Sequence, residues 1–550
     1  MIISNKNGNT IYKSWRVNGV KQSEEVEYRP YFYVFSDTKE RPTYTISKYT
    51  NGKFEYVEGD WQDLEGNSLK RVYVEKSWDM VKARQCFDKT YEADVAYTFR
   101  YAVDEVNEMP EYNMRKWYWD MEWQQGGEHH DEITTIVMYD NYDKEYFQWV
   151  WFPNQEPYDG FKMSTDKVQH VSVFNTEKEM IEHFMGTMIA KDPDMLIAWF
   201  GLKFDLPKLL DRACALGLNP LVMSPYHKID GVKQLKNGCS FKRQDGYSPI
   251  EQPIGGRLTL NLDLAFERQW NDSQRGTLPS LSLDYVSKLL FDEGKVMDTK
   301  FEDPNEFYRR AWLEDTKAYL QYAVVDVELL VKIDEKNYCS EAILSLQRLL
   351  KAPFKACFYA SHMGSIYFMR NAWWKAPTGI KSADRKEYEG AMIYDPLSES
   401  TNGLHLNVAA FDFAGLYPSM MVARNISWET KSETPTEFGV NILTPRDFSE
   451  PEGDRMYYYK TDELGLLPKA VLELKELRND YKKRMKNSEG DEYVKWYNNQ
   501  MAVKRLMASF YGVLAYQGFG WADVDLAASI TASAREAIRL AAFKAKELEV

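Results

Sequence analysis

The spacing of hydrophobic and polar residues changes several times along the chain, and each change predicts a different kind of element. Up to residue 105, short alternating or aromatic runs at Val26–Phe35 and Lys70–Val74 predict β-strands. No pattern of catalytic residues is found in this part of the chain. We therefore predict a separate, β-rich N-terminal domain over residues 1–105.

Residues 106–345 alternate between strand spacing and helix spacing, which predicts an α/β arrangement. Acidic residues stand near the ends of the predicted strands and on the last helix, and strand ends are a common place for active sites in this architecture. The predicted elements are, in chain order, strands at Lys116–Trp123 and Thr134–Tyr139, a helix at Glu177–Ala190, strands at Asp194–Phe200 and Arg257–Leu264, and a helix at Asp315–Glu335.

The rest of the chain is predicted to be mainly helical. Residues 346–390 predict connecting helices, and Asn407–Phe411 predicts a strand. Residues 428–462 are polar and rich in Pro, Thr and Glu, which predicts a loop or a small insertion. A short polar link joins two long helical patterns into a helical hairpin, and a third helix follows. These three helices are predicted at Pro468–Lys486, Tyr493–Gly512 and Asp523–Leu548.

Length and composition narrow the class of protein. A chain of 550 residues is too long for one hydrophobic core, so we predict a multidomain protein. The net charge of −14 argues, taken alone, against a nucleic-acid partner, although a basic surface can be local. Five scattered cysteines without a C-x-x-C pair indicate reduced thiols and no zinc site. The N-terminus lacks the apolar core of a signal peptide, and we expect a cytoplasmic protein without a membrane partner.

A first set of candidate residues consists of carboxylates and one tyrosine. Asp120 and Glu122 are two apart on a predicted strand, so both side chains point to one face. Asp205 follows a buried strand, where a helix N-cap before a proline is the alternative interpretation. Tyr322 and Asp326 are four apart on a predicted helix and share a face, where a surface pair is the alternative.

Taken together, these residues predict a metal site that cleaves phosphodiester bonds. Four hard oxygen ligands suit two Mg²⁺ ions. Two metal ions close together can activate a water and stabilise the leaving 3′ oxygen, and the hydroxyl of Tyr322 can orient that water.

A second set lies in the last third of the chain. Asp412 begins the string Asp-Phe-Ala-Gly-Leu-Tyr-Pro-Ser, in which Tyr417 is the tyrosine. The alternative interpretation of its last four residues is a simple strand-to-helix turn. A stripe of cations follows the first helix of the predicted hairpin, and a solvated helix face is its alternative. Cations facing each other across the hairpin could hold a triphosphate. The stripe is Lys475, Arg478, Lys482 and Lys486, and the residues that share a face of the second helix are Gln500, Lys504, Ala508 and Tyr511.

These motifs, in this order, resemble those of family B DNA polymerases that carry a DEDDy 3′→5′ proofreading exonuclease domain, in particular the T-even-like phage replicative type. The resemblance implies that Tyr322 positions the attacking water. It implies a β-rich N-terminal domain, an RNase H-like exonuclease domain, and part of a polymerase palm with helical-hairpin fingers. The metal ligands that it implies in the exonuclease site are Asp120, Glu122, Asp205 and Asp326.

In the polymerase half, the resemblance implies that Asp412 binds both catalytic metals and that Tyr417 excludes a ribose 2′-hydroxyl. Tyr511, followed by Gly512, would lie beside the nascent base pair. Tyr388-x-Gly390-Ala391 resembles the linker motif that contacts the template, and Ser280–Val296 resembles a segment late in the exonuclease domain. The residues implied to hold the triphosphate are Arg478, Lys482 and Lys504.

Three residues depart from the family pattern. Phe200 stands where the family usually has asparagine, which leaves the metal ligands in place but changes the contacts expected with single-stranded DNA. Gly415 replaces a serine and leaves only backbone amides for phosphate contacts. Ala508 replaces an asparagine, a change that could loosen nucleotide selection.

The resemblance also implies domain boundaries. They are an N-terminal domain at 1–105, an RNase H-like exonuclease domain at 106–345, connecting helices at 346–390, the first part of the palm at 391–464, the fingers at 465–520 and a palm helix at 521–550. The family's next motif, Y-G-D-T-D-S, is not reached by Val550, so the expected polymerase site lacks its second carboxylate. We expect synthesis to need a C-terminal polypeptide with that motif and a thumb, whether Val550 marks a natural split, an intein junction or a truncation.

The sequence thus predicts a DNA-directed DNA polymerase with 3′→5′ exonuclease activity, present as its N-terminal part. The expected cofactor is Mg²⁺, two per active site, with Mn²⁺ as an alternative. The expected partners are primer-template DNA, deoxynucleoside triphosphates, the C-terminal fragment and a sliding clamp. A stand-alone 3′→5′ exonuclease and a DNA- or primer-binding subunit are the two alternatives.

Overall fold

The chain is described by a computed structural model, in which two compact units can be distinguished. The first unit contains Met1–Tyr28 and Asn107–Phe358, and the second contains Arg29–Val106 and Tyr359–Val550. The residues that the structure describes are 1–39, 54–153, 168–243, 245–272, 276–295, 299–301, 303–379, 388–392, 408, 412–442, 455–516 and 518–548.

Strands are found in both units. In chain order they are β1 Ile2–Asn5, β2 Thr10–Val17, β3 Val20–Glu27, β4 Tyr31–Phe35, β5 Glu55–Gln62, β6 Ser68–Tyr73, β7 Lys116–Trp123, β8 Ile133–Asp140, β9 Glu145–Trp151, β10 Val168–Phe174, β11 Met195–Ala198, β12 Val232–Leu235, β13 Gly238–Phe241, β14 Leu258–Asn261, β15 Lys431–Ser432, β16 Phe438–Ile442 and β17 Arg455–Tyr459.

The α-helices are numbered in the same way. They are α1 Met80–Ala83, α2 Tyr97–Glu105, α3 Glu177–Lys191, α4 Asp205–Ala215, α5 Leu262–Asp272, α6 Leu283–Phe291, α7 Pro304–Glu314, α8 Thr316–Asn337, α9 Cys339–Leu350, α10 Ala360–Asn371, α11 Leu416–Ala423, α12 Leu466–Lys486, α13 Gly490–Leu514 and α14 Val524–Glu547. Short 3₁₀ turns cover Ser77–Asp79, Arg84–Cys86, Pro220–Met223 and Phe354–Phe358.

The first unit is built around a mixed six-stranded sheet with the order β10-β9-β8-β7-β11-β14. β7, β8 and β9 form an antiparallel meander, and β11 and β14 run parallel to β7. Trp117, Trp119 and Met121 alternate along β7 with Asp120 and Glu122 and are buried in the core. This alternation leaves the two carboxylates together on the other face of the sheet.

The predicted elements of the α/β region are largely confirmed. The strand at Lys116–Trp123 has the predicted bounds, and the helices at Glu177–Lys191 and Thr316–Asn337 extend one or two residues beyond the prediction. The predicted strand Arg257–Leu264 is shorter, because the chain turns into α5 at Leu262. The mixed α/β, multidomain class predicted from the sequence is therefore confirmed.

The N-terminal part of the chain is organised differently from the expectation. The predicted strand Val26–Phe35 consists of two strands, β3 and β4, with Pro30 between them, and proline cannot donate a ladder hydrogen bond. β1, β2 and β3 form one sheet, whereas β4, β6 and β5 form another. The residues predicted as one domain, 1–105, are divided between the first and the second unit.

The second unit contains the predicted helical hairpin. Its helices, α12 and α13, pack against each other and are joined by three residues, 487–489. The polar stretch 428–462, predicted as a loop or small insertion, contains a sheet with the order β15-β17-β16. Tyr459 explains part of this difference, because its fully buried ring and its hydroxyl bond to Ser529 (2.6 Å) hold β17 in place. The predicted strand Asn407–Phe411 lies outside the described residues except for Val408.

Two expectations drawn from composition can be compared with the structure. All five cysteines are free thiols, as predicted. Within the described part of the chain, no helix is both long enough and apolar enough to cross a membrane.

Candidate active site

The first unit brings three of the predicted metal ligands into one cluster. Asp120 and Glu122 project from β7, and Asp326 projects from α8, which packs against β7 and β8. One carboxylate oxygen of each residue lies within 4.8 Å of the others. Among the described residues, this is the one group of at least three side chains that could hold a metal ion.

Asp205, the fourth predicted ligand, stands beside this cluster. It is the first residue of α4 and is 4% exposed. The negative charge of Asp205 is one of the causes that raise the pKa of Asp120. The alternative interpretation was a helix N-cap, but Phe204 occupies the N-cap position of α4 and Asp205 is the first helical residue.

Tyr322 lies one turn before Asp326 on α8, as the four-residue spacing predicts. Its hydroxyl accepts a hydrogen bond from Lys295 Nζ (2.7 Å) and lies 3.2 Å from the hydroxyl of Tyr308. Lys295 Nζ also pairs with Asp326. Tyr322 is 3% exposed, so the surface-pair alternative is wrong for Tyr322 and Asp326.

Crowding of carboxylates that are buried or half-buried sets the electrostatics of this site. Burial and the charge of Asp326 raise the pKa of Glu122 to about 8, and burial raises the pKa of Asp205 to about 7. Burial, together with its carboxylate neighbours, also holds the pKa of Asp120 well above its usual value. Lys295 acts in the opposite direction on each of them, and its own pKa is raised by Asp326 and Asp120 although burial lowers it.

These residues fit a divalent metal ion. Asp326 Oδ1 is buried and has no hydrogen-bond partner, which is costly for a carboxylate oxygen unless a cation is bound. The donors are all hard oxygens, the type that Mg²⁺, Ca²⁺ and Mn²⁺ prefer. The single ammonium of Lys295 offsets only part of the negative charge of the group.

Lys295 was not among the predicted site residues. It lies after α6 in a segment without helical or strand periodicity, so the spacing of hydrophobic residues gives no sign of it. The one available signal was that Ser280–Val296 resembles a segment of the exonuclease domain. Asp284 fixes the position of Lys295, because its Oδ1 accepts the backbone N–H of Lys295 (2.9 Å).

In the second unit, the predicted motif around Asp412 forms a turn into a helix. Asp412 is exposed, and α11 begins four residues later at Leu416. Gly415 precedes the helix with φ +71°, in the left-handed region that glycine enters without steric cost. This backbone angle gives a physical reason for glycine where the family usually has serine.

Three tyrosines meet next to this turn. The ring centroids of Tyr417 and Tyr511 are 4.4 Å apart, and the hydroxyl of Tyr511 lies 3.1 Å from that of Tyr388. Two predicted motifs and the predicted linker are therefore in contact within the second unit. Burial and the neighbouring Tyr388 hydroxyl raise the pKa of Tyr511, and burial raises that of Tyr417.

The predicted cations of the hairpin also lie close together. The pKa of Lys482 is lowered, chiefly by Arg478 and also by burial, Lys486 and Lys504. Arg478 Nε donates to Gln500 Oε1 (3.2 Å) on the facing helix. Such a group of like charges is unfavourable by itself and favours binding of an anion. Gly512 follows Tyr511 on α13 and is exposed.

Each unit therefore contains one site suited to nucleic-acid chemistry. The site of the first unit is acidic, and that of the second unit is cationic and aromatic. Comparison with known families identifies the class of protein. The family described as "DNA polymerase family B, exonuclease domain" matches residues 88–262, and "DNA polymerase family B" matches residues 359–546. The chain therefore carries the exonuclease and polymerase domains of DNA polymerase family B.

Several relatives are DNA polymerases of archaea and eukaryotes. The DNA polymerase of Pyrococcus glycovorans is 27% identical over 71% of this chain and 47% of its own length. The DNA polymerase of Thermococcus gorgonarius is 24% identical over 84% of this chain and 55% of its own. The DNA polymerase delta catalytic subunit of Plasmodium falciparum is 27% identical over 66% of this chain and 33% of its own.

The chain spans about half the length of the first two relatives. The family predicted from the motifs agrees with both domain matches. The narrower resemblance to T-even-like phage polymerases stays a prediction, because these relatives are archaeal and eukaryotic.

Proposed function

We propose that this chain is a DNA-directed DNA polymerase polypeptide whose first unit is a 3′→5′ proofreading exonuclease. The observation that carries the proposal is the cluster of half-buried Asp120 and Glu122 with buried Asp326, with buried Asp205 beside it. Mg²⁺ is the proposed cofactor, two ions per site, with Mn²⁺ as a substitute. The six-stranded sheet order supports an RNase H-like exonuclease fold.

In the proposed exonuclease, the four carboxylates Asp120, Glu122, Asp205 and Asp326 would hold the metal ions. When bound there, the metal would help to activate a water and to neutralise charge on the leaving 3′ oxygen. Tyr322 orients the attacking water, and the hydrogen bond from Lys295 Nζ fixes the direction of its hydroxyl. The water oxygen forms a bond to phosphorus as the bond from phosphorus to the 3′ oxygen breaks, and a proton passes to that oxygen.

In the proposed polymerase site, Asp412 is a metal ligand, and Tyr417 packs under the sugar of the incoming nucleotide. Tyr511 and Gly512 line the place of the nascent base pair. The crowded cations support this proposal, since a triphosphate would neutralise them. The residues proposed to bind the triphosphate are Arg478, Lys482 and Lys504.

Synthesis would require more carboxylate than Asp412 alone. Within the described residues, no group of three possible ligands forms around Asp412. We propose that a polypeptide with the Y-G-D-T-D-S motif and a thumb completes this site, and that a sliding clamp is a further partner. Primer-template DNA and deoxynucleoside triphosphates are the proposed substrates.

The exonuclease is tested with single-stranded DNA labelled at its 5′ end. We expect a ladder that shortens from the 3′ end in Mg²⁺ and disappears with a chelator. Asp120→Ala and Asp326→Ala should each remove this activity, whereas Asp143→Ala, at an exposed acidic residue outside the cluster, should retain it. Activity that survives both cluster variants would refute the assignment.

The polymerase is tested by primer extension with the chain alone and with a polypeptide that supplies Y-G-D-T-D-S and a thumb. We expect extension only with both. Strong extension by this chain alone would refute the need for a second polypeptide.

A stand-alone exonuclease is the second candidate function. It is favoured by one observation, namely that the one cluster of possible metal ligands among the described residues lies in the first unit. Absence of extension with the second polypeptide, combined with normal exonuclease activity, would select it. The structure offers no specific support for a purely DNA- or primer-binding subunit.

A further inference from the structure

The turn that leads to Asp205 has an unusual backbone. β11 ends at Ala198 and α4 begins at Asp205, so the connection is short. Phe200 in this turn has φ +55°, in the left-handed region. Bulky residues rarely adopt this conformation and do so only where the surroundings impose it. Something must therefore hold the turn in place.

Two side chains from a neighbouring segment bind the backbone of this turn. Asp263 Oδ1 accepts the N–H of Phe200 (3.0 Å), and Asn261 Oδ1 accepts the N–H of Leu202 (3.0 Å). Both side chains are buried, Asp263 at 5% exposure and Asn261 at 2%. The carbonyl of Phe200 in turn accepts the N–H groups of Lys203 (2.9 Å) and Phe204 (3.2 Å), which leads the chain into α4.

Sheet topology explains why these two residues reach the turn. β14 runs parallel to β11, and Asn261 is the register partner of Ala198. Parallel neighbours end at the same edge of a sheet, so the segments after the two strands meet there. Asn261 ends β14, and Asp263 is the second residue of α5.

The turn is packed closely enough for its position to control that of Asp205. A Cβ atom added at Gly201 would lie 2.4 Å from Ala198 Cβ and 3.5 Å from Asp205 Oδ2. Gly201 also accepts the N–H of Leu206 (2.9 Å), in the first turn of α4. A shift of the turn would therefore move the carboxylate of Asp205.

We propose that Asp263 and Asn261 are positioning residues for the exonuclease site. They hold the turn 199–204 in its strained conformation and thereby hold Asp205 beside Asp120. Neither belongs to the cluster of possible metal ligands found in the described residues, and the hydrogen bonds to the turn occupy their Oδ1 atoms. The inference rests on the proposed exonuclease function.

The test compares substitutions that keep the acceptor with substitutions that remove it. Asp263→Asn and Asn261→Asp keep an Oδ1 acceptor. Asp263→Leu and Asn261→Leu have no acceptor but introduce a side chain of similar size. Exonuclease kcat and KM are measured on single-stranded DNA, and Mn²⁺ binding to the metal-free protein is measured by calorimetry. Thermal unfolding, monitored by circular dichroism, shows whether each variant is folded.

We expect both leucine variants to lose about 10- to 100-fold in kcat and a similar factor in Mn²⁺ affinity, because groups that orient metal ligands have effects of this size. KM for DNA should change by less than about threefold, since the DNA contacts are not altered. Asp263→Asn and Asn261→Asp should stay within about threefold of the unaltered chain in both measurements.

The strain at Phe200 gives an independent readout. Asparagine tolerates the left-handed region better than phenylalanine, so Phe200→Asn should raise the unfolding temperature of the unaltered chain. In the Asp263→Leu background it should restore part of the lost Mn²⁺ affinity. No recovery would contradict a role of Asp263 in holding this backbone.

The remaining outcomes are equally decisive. Unaltered kcat and Mn²⁺ affinity in either folded leucine variant would overturn the role of that residue, and equal losses in the leucine and acceptor-keeping variants would overturn the hydrogen-bond argument. If one leucine variant does not fold, the other still tests whether the turn positions Asp205. Failure of the proposed function looks different, because Asp120→Ala would then leave the nuclease activity intact.

Discussion

The acidic cluster of the first unit and the hairpin of the second unit crowd side chains of opposite charge, carboxylates in the first and cations in the second. Asp120, Glu122 and Asp326 place three carboxylates within 4.8 Å of one another in a site that is half-buried at Asp120 and Glu122 and buried at Asp326. Lys482 instead lies beside Arg478, Lys486 and Lys504, on a half-exposed helix pair. Burial and repulsion raise the pKa of Glu122 to about 8, whereas neighbouring cations lower that of Lys482.

This difference shows how each site indicates its ligand. Crowded carboxylates with little access to water favour binding of a cation, and crowded cations favour binding of an anion. The first site is also assembled by the backbone of a sheet and a helix within one unit. In the second site, Asp412 is exposed, and Tyr511 contacts both Tyr417 and Tyr388.

The strongest predicted loss of activity separates the two regions by their chemistry. Asp120→Ala should lower exonuclease kcat by on the order of 10³-fold, because metal-ion catalysis contributes several kcal/mol. Asp412→Ala should leave that rate within about twofold, since Asp412 belongs to the other unit. Single-turnover degradation of labelled DNA measures both. A large loss in Asp412→Ala would mean that the two regions do not act separately.

The next effect concerns the hairpin cations. Lys482→Ala should weaken binding of a deoxynucleoside triphosphate about tenfold or more, because a charge-assisted hydrogen bond contributes about 1.5–3 kcal/mol. Lys483→Ala removes an exposed charge of the same helix outside the cluster and is the matched control. Quenching of tryptophan fluorescence measures the affinity. Equal effects of the two variants would leave only general charge attraction.

A smaller effect is expected on stability as pH changes. Glu122 has a folded pKa of about 8, above the value of 4.5 for a free glutamate, so its protonation favours the folded state. This contribution is complete below pH 4.5 and is lost as pH rises to about 8. Without metal, the unfolding temperature should therefore fall over that range by a few degrees.

Mg²⁺ should reverse this loss, so the stabilisation that it gives should be larger at pH 8 than at pH 5. Thermal unfolding with and without Mg²⁺ measures the difference. Glu122→Gln is the control and should reduce the dependence on pH. A Mg²⁺ effect that is the same at both pH values would contradict the role assigned to the carboxylates.

The smallest effect probes the tyrosine contacts of the second unit. Tyr388→Phe removes one member of the hydroxyl pair with Tyr511 and should lower the free energy of unfolding by about 1 kcal/mol. Tyr359→Phe, at an exposed ring, should change it by less than about 0.5 kcal/mol. Chemical denaturation measures both, and equal values would show that the hydroxyl pair adds no stability.

Much of the proposed exonuclease site was predictable because its residues follow regular periods. Asp120 and Glu122 share a face through the two-residue period of a strand, and Tyr322 and Asp326 through the helical period. In the folded structure, each pair lies on one face of its strand or helix, as its spacing predicts. Asp205 was identified by its place after a buried strand.

Residues that act across loops were not predictable in this way. Lys295 reaches Tyr322 and Asp326 from a segment without periodicity, and Asp263 reaches Phe200 from a region predicted as strand. Their positions depend on tertiary pairing, such as the register between β11 and β14. The sheet at 431–459 was missed for a related reason, since its strands are short and lie among polar residues.

We propose that Asp120, Glu122, Asp205 and Asp326 together form a site for two divalent metal ions. The most direct test is a crystal of the chain soaked in Mn²⁺ and measured at the manganese absorption edge. We expect two anomalous peaks in contact with these four carboxylates, and none of comparable height there in the double variant Asp120→Ala with Asp326→Ala. Manganese bound only elsewhere, or none at these side chains, would contradict it.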